Sequence, residues 1–157
     1  MKSASLSEIK SELKEKSAAQ LVALCVRLAR YKKENKELLS FLLFESDNIE
    51  AYISNVKEEM DEAFADVNTT NMYIAKKNIR KILRIAGKHI KYMANKEGEA
   101  AVLIHFCTGC RGLKLPVTKN TALTNLYNSQ LKKIEAAIAA IHKDLQHDYQ
   151  GALDRLK

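Results

Sequence analysis

Tryptophan is absent from this 157-residue chain, proline occurs once and glycine five times. Proline and glycine punctuate helices and build tight turns. So small a supply excludes an architecture of many short strands and leaves long helices as the default. The three cysteines are an odd number, which excludes a fully paired disulfide framework. Free thiols in a reducing cytoplasm are therefore expected. Long hydrophobic runs are missing as well. Leu38 to Phe44 is apolar but for Ser40, and its seven residues fall far short of the ~20 that span a bilayer. The opening MKSASLSEIKSELKEK has no apolar h-region of a secretory signal. One further absence is local. Between Val67 and Lys96 there is no Asp or Glu, while Lys and Arg occur eight times, so this block carries +8 in a chain whose net charge is +7.

What is present confirms the helical bias. Leu, Ile, Ala, Lys and Glu are abundant, and all but Ile rank high in helix propensity. At this length one domain is expected, able to bury about 70% of its unfolded surface. Met72 to Met93, drawn at 100° per residue, separates into two faces. Met72, Ala75, Ile79, Ile82, Leu83, Ala86, Ile90 and Met93 share one arc of about 100°, the width of a core-facing stripe. Lys77, Arg80, Lys81, Arg84, Lys88 and Lys91 share a similar arc almost opposite. The preceding segment has the contrary sign: Glu45 to Asp66 holds eight carboxylates against one Lys.

Taken in order, Ser5 or Ser7 caps a first helix through Leu6, Ile9 and Leu13, and Ser17 caps a second through Tyr31. The run Lys32 to Glu37 allows either a kinked continuation or a break with Asn35 as cap. Leu38 to Phe44 reads as a helix buried on most sides. Asp47, with Glu50 three residues on, predicts a capping box for the acidic helix. Asn68 to Asn71 connects it to the basic helix, which ends at Lys96-Glu97-Gly98. The next helix, from Ala100, is closed by Gly109, Gly112 as C′ residue and Pro116. A last helix from Thr118, Thr121 or Thr124 keeps a seam from Tyr127 to Leu156 and would be roughly 45 Å long.

Two stretches echo each other. Val26-Arg27-Leu28-Ala29 matches Leu83-Arg84-Ile85-Ala86 in character, and Glu37 to Phe44 matches Glu99 to Phe106. Read as a pseudo-repeat of 18–67 and 72–150, the pattern is loosely similar to an α-solenoid of the HEAT or armadillo kind. The expectation is an all-α, single-domain helical bundle, or a short solenoid-like array, of six or seven helices.

Sites of chemistry are few. Cys107-Thr108-Gly109-Cys110 is a C-x-x-C with His105 beside it. A redox pair of this kind needs a helix N-terminus, whose dipole stabilises the thiolate, and this pair falls at a helix C-terminus. A structural zinc needs four ligands, and no second C-x-x-C or paired His motif is present. Idle thiols are expected, with a thiol or metal site as the alternative. His142 and His147 stand five apart on different helix faces, and His89 reads as a surface histidine. Glu58, Glu59, Asp61 and Glu62 lack the alternation of a calcium loop and read as a solvated face. No phosphate-binding glycine loop, dinucleotide fingerprint or H-E-x-x-H occurs.

The pattern therefore favours a non-catalytic interaction module without a cofactor. Its contact surface would be the six-residue basic face, for an acidic protein or for self-association. The face could instead be solvated or paired with the acidic helix before it. Nucleic-acid phosphates are the alternative ligand, although only Tyr73 and Tyr92 flank the face as stacking aromatics. A second expectation concerns the overlong last helix. Its Leu145, Tyr149, Ala152 and Leu156 exceed the length of neighbouring helices, so they would meet a second copy, fray after Gly151, or fold back over Leu6, Ile9 and Leu13.

Overall fold

Short polar side chains set where the helices begin. In the computed structural model, which describes every residue except Pro116, Val117 and Thr118, the chain forms eight α-helices and no strand among the described residues. That is at least one helix more than the spacing predicts. They group into two compact units, Met1–Phe44 and Glu45–Lys157. The pseudo-repeat segment 18–67 straddles this boundary, and its two echoed pairs lie in contrasting surroundings.

The first unit holds α1 (Leu6–Lys14), α2 (Ala18–Tyr31), α3 (Lys33–Ser40) and the start of a π-helical turn, Phe41–Glu45. Ser5 caps α1 in a capping box with Glu8, whose carboxylate accepts from the Ser5 amide at 2.7 Å. The Ser5 hydroxyl, which also donates to that carboxylate, and then the Ser5 amide hold the Glu8 carboxyl below its ordinary pKa. Ser17 and Gln20 form the same box on α2. The chain breaks at Lys32, in extended backbone, and not at Asn35. Asn35 instead braces the corner, donating from Nδ2 to the Leu28 carbonyl at 2.8 Å. No residue of the three helices is buried. The expectation that Leu38 to Phe44 is buried on most sides fails: Phe41 is buried, but Leu42, Leu43 and Phe44 are exposed.

The second unit is built around one apolar helix. It comprises α4 (Ile49–Ala65), α5 (Met72–Met93), α6 (Lys96–Gly112), α7 (Thr121–Ala139) and α8 (Lys143–Asp154). Helices α4, α5 and α6 pack mutually, as do α6, α7 and α8, so α6 is the wall both groups share. Its sequence explains the position: Ala100, Val102, Leu103, Phe106, Cys107 and Cys110 are buried on several sides of the helix. Phe106 is wholly enclosed, and its ring tilts against Phe64 of α4 at 5.9 Å between centroids.

Caps differ from expectation in detail. Asn48, not Asp47, caps α4, accepting from the Ala51 amide at 3.1 Å. Asn71 caps α5 as expected of that connection. The break after α5 falls at Ala94, in the left-handed region at φ 47°, and Asn95 then caps α6, so Lys96-Glu97-Gly98 opens that helix and does not end the previous one. Gly112 is the last helical residue, and the left-handed position belongs to Lys114. Pro116 and Thr118, read as stop and start signals, lie outside the described residues; α7 starts at Thr121 behind Asn120.

The single long C-terminal helix is also corrected. It breaks at Ala140–His142, with His142 in extended backbone as the cap of α8. Gln146 supports the break by donating to the Ile141 carbonyl at 3.0 Å. The reason is tertiary. Folding back encloses Leu153 and Leu156, a gain of roughly 1.5–3 kcal/mol per side chain that outweighs a few helix hydrogen bonds of about 1 kcal/mol each.

Candidate functional site

Helix α5 meets its neighbours through Ala75, Ile79, Ile82 and Ala86, all buried. That fixes the opposite side. Lys77, Arg80, Lys81, Arg84 and Lys91 are exposed, and Lys88 is half-buried. From Lys77 to Lys91 the row runs about 21 Å along the helix. Lys77 is steadied by Tyr73, its Nζ lying 4.5 Å from the ring centroid, a cation–π contact within one turn. Tyr92, expected to flank the row, is buried and meets His89 edge-on instead.

Among the described residues, Lys77, Arg80, Lys81, Arg84 and Lys91 form no ion pair. Two carboxylates of α4 are held by histidines. Glu59 Oε2 accepts from His89 Nε2 at 2.9 Å, and Asp61 Oδ1 accepts from His105 Nε2 at 2.6 Å. An ionised carboxylate only accepts, so Nε2 carries the proton in each ring. In the neutral His89 ring, Nδ1 then accepts from the Tyr52 hydroxyl at 2.6 Å. His89 is thus a half-buried strut between α4 and α5, not a surface histidine, and Asp61 and Glu59 are only partly a solvated face. Sequence spacing carried no signal for these links, whose partners lie 30 to 44 residues apart.

The C-x-x-C is closed off. Cys107 and Cys110 are buried at the C-terminal end of α6, and burial pushes both thiols up to about 12. His105 faces Asp61. Among the described residues no group of three or more His, Cys, Asp or Glu could hold a metal ion. At pH 8 a thiol with a pKa of about 12 is ionised roughly once in 10⁴, and the thiolate is the nucleophile. A disulfide-forming thiol reagent should therefore modify Cys107 and Cys110 only after unfolding. Three fast thiols in the folded chain would refute that burial.

The expected oligomer contact is largely consumed within the second unit. Leu156 is buried, Ala152 is half-buried, and Tyr149 is half-buried with its hydroxyl donating to Glu97 at 3.0 Å. Burial, then the Glu97 hydrogen bond, pushes the Tyr149 phenol up to about 12. Tyr127 donates to the Leu156 carbonyl at 2.8 Å, and Arg111 reaches the Arg155 carbonyl, which ties the chain end down. Only Leu145 remains exposed.

Near Tyr149 lies a cavity of about 450 Å³ between the starts of α4 and α6, lined by Glu50, Lys57, Asn95 and Glu97 among others. It holds charge of both signs and no nucleophile beside a base. No helix among the described residues is long and apolar enough to cross a membrane. No protein family, curated protein or solved structure matches the chain.

Proposed function

We propose that the protein is a non-catalytic interaction module whose α5 row docks an acidic segment of a partner protein. One observation carries the reading: Lys77, Arg80, Lys81, Arg84 and Lys91 are exposed along one helix face and form no ion pair among the described residues. Such cations keep their field for a partner and steer its approach. The width of the row favours protein over nucleic acid. It is a single strip, and the groove on its α4 side brings Glu62 and Asp66 beside Lys81. A row of carboxylates on one helix fits a strip, whereas a duplex presents phosphates on both sides and would meet those acids. Burial, which pushes the Cys107 and Cys110 thiols up to about 12, speaks against a nucleophilic thiol at the C-x-x-C.

The test is fluorescence anisotropy with two probes, a Glu-rich helical peptide and a DNA duplex, across about 50 to 200 mM salt. The expected result is micromolar peptide binding at low salt, abolished when Lys77, Arg80, Lys81 and Arg84 are all changed to Glu in a chain that stays folded. The duplex should bind weakly and be released at physiological salt. Submicromolar duplex binding that persists there and is lost in the variant would replace the partner by nucleic acid. Failure of both probes would refute the row as a docking site.

A further inference from the structure

The first unit presents a different, apolar surface. Helix α2 carries two Arg and no acid among fourteen residues, and its apolar positions wrap about 200° of its circumference. A helix apolar over so wide an arc belongs in a core, yet no residue of α2 is buried. Val22, Leu28 and Tyr31 are 63%, 61% and 76% exposed, and at the end of the unit Leu43 and Phe44 are 62% and 82% exposed. Between α2 and α3 runs a largely apolar cleft of about 220 Å³, lined by Leu28, Ala29, Leu38, Leu39 and Leu42 together with Cys25 and Asn35.

We infer that the first unit is a self-association element: two copies of this chain pack their α2–α3 hairpins together, burying the cleft and the exposed Leu, Val and Phe side chains around it. Three arguments select a second copy as the occupant. The first is area. The exposed large apolar residues of this unit offer on the order of 1,000 Å² per chain, against the roughly 800 Å² per partner of a standard stable interface. The second is elimination. Among the described residues of the second unit the exposed large apolar ones are Tyr73, Ile74 and Leu145, too few to match such a surface. The third is charge. Lys33, Glu34, Lys36 and Glu37 of α3, where Lys33 already pairs with Glu37 at 3.6 Å, and Glu8, Lys10, Glu12 and Lys14 of α1 interleave both signs. A rim of mixed sign can pair with its own symmetry mate, as a two-fold interface requires. In a two-fold arrangement the projecting Phe44 or Leu43 of one chain can fill the other's cleft.

The test uses the full chain. Sedimentation equilibrium at tens of micromolar is expected to give twice the monomer mass. Val22→Lys and, separately, Phe44→Ser should each raise the dissociation constant at least tenfold. Both positions are largely exposed, so helical content and melting of the second unit should stay unchanged in dilute solution. A monomer at these concentrations overturns the inference. So does a monomer that co-sediments with phosphatidylcholine–phosphatidylserine vesicles, which would make the occupant a bilayer. Dimerisation unaffected by either substitution overturns it too, because the contact would then lie elsewhere. Charge reversal of the α5 row leaves this readout unmoved.

Discussion

Phe106→Ala should unfold much of the second unit at ordinary assay temperatures. Phe106 is wholly enclosed at the centre of α6, the helix that both three-helix groups of that unit share. Truncating such a ring costs about 3–5 kcal/mol, from lost transfer energy and from the cavity left behind. Whole domains have only about 5–15 kcal/mol of stability. At a few degrees per kcal/mol, the melting temperature should fall by roughly 10–20 °C. Phe106→Leu keeps most of the volume and should lose no more than about half as much. The check is thermal and urea unfolding followed by far-UV circular dichroism. A shift under about 3 °C for the alanine variant would mean that α6 is not the centre of the core.

Gly109→Ala should destabilise even though alanine is the better helix former. Gly109 lies three residues beyond Phe106, and a β-carbon there would clash with one edge of the Phe64 ring, its Cε2 in closest approach. Phe64 is itself buried and held against Phe106, so the ring has little freedom to move aside. Overpacking of this kind costs about 1–3 kcal/mol, and more when the clash is with a fixed ring. The intrinsic helix gain of about 1 kcal/mol recovers part of it. A net loss of about 1–2 kcal/mol, toward the upper end of these two terms because the ring is fixed, is expected. The decisive measurement is a double-mutant cycle with Phe64→Leu. Removing the ring's far edge should relieve most of the penalty, giving a coupling above about 1 kcal/mol. Additive effects would show that the two positions do not touch. Gly112, where an added β-carbon meets nothing within 4 Å, is the control, and Gly112→Ala should be near neutral or mildly stabilising.

Local chemistry made much of this fold legible. Ser5, Ser17 and Asn71 act on amides two or three residues away, so their role is written beside them. The α5 row was readable because six cations recur on one arc at helical spacing. Asp47 and Asn48 have similar capping ability, and spacing alone does not separate neighbours by one residue. The break at Ala140–His142 had no such signature. Ile138, Ile141 and Leu145 keep the period straight through it, and the cause is burial of Leu153 and Leu156 more than ten residues downstream. His89 and His105 were opaque for the same reason, since Glu59 and Asp61 approach them only after α4, α5 and α6 pack. Leu42 to Phe44 misled in the other direction: apolarity states that a side chain seeks cover, but not that its own chain supplies it.

The shared position of α6 also bears on how the second unit opens. Helices α4 and α5 make one group with it, and α7 and α8 make the other. Neither pair keeps a core of its own once α6 leaves, so the two groups cannot melt as independent foldons. Detaching either group exposes one side of α6 while the other still pins it. Its central amide protons, around Leu103 to Cys107, thus reach solvent only when the whole unit opens. They stand at the top of the unit's scale of hydrogen-exchange protection. The exposed turns of α8, held through its terminal residues, stand nearer the bottom.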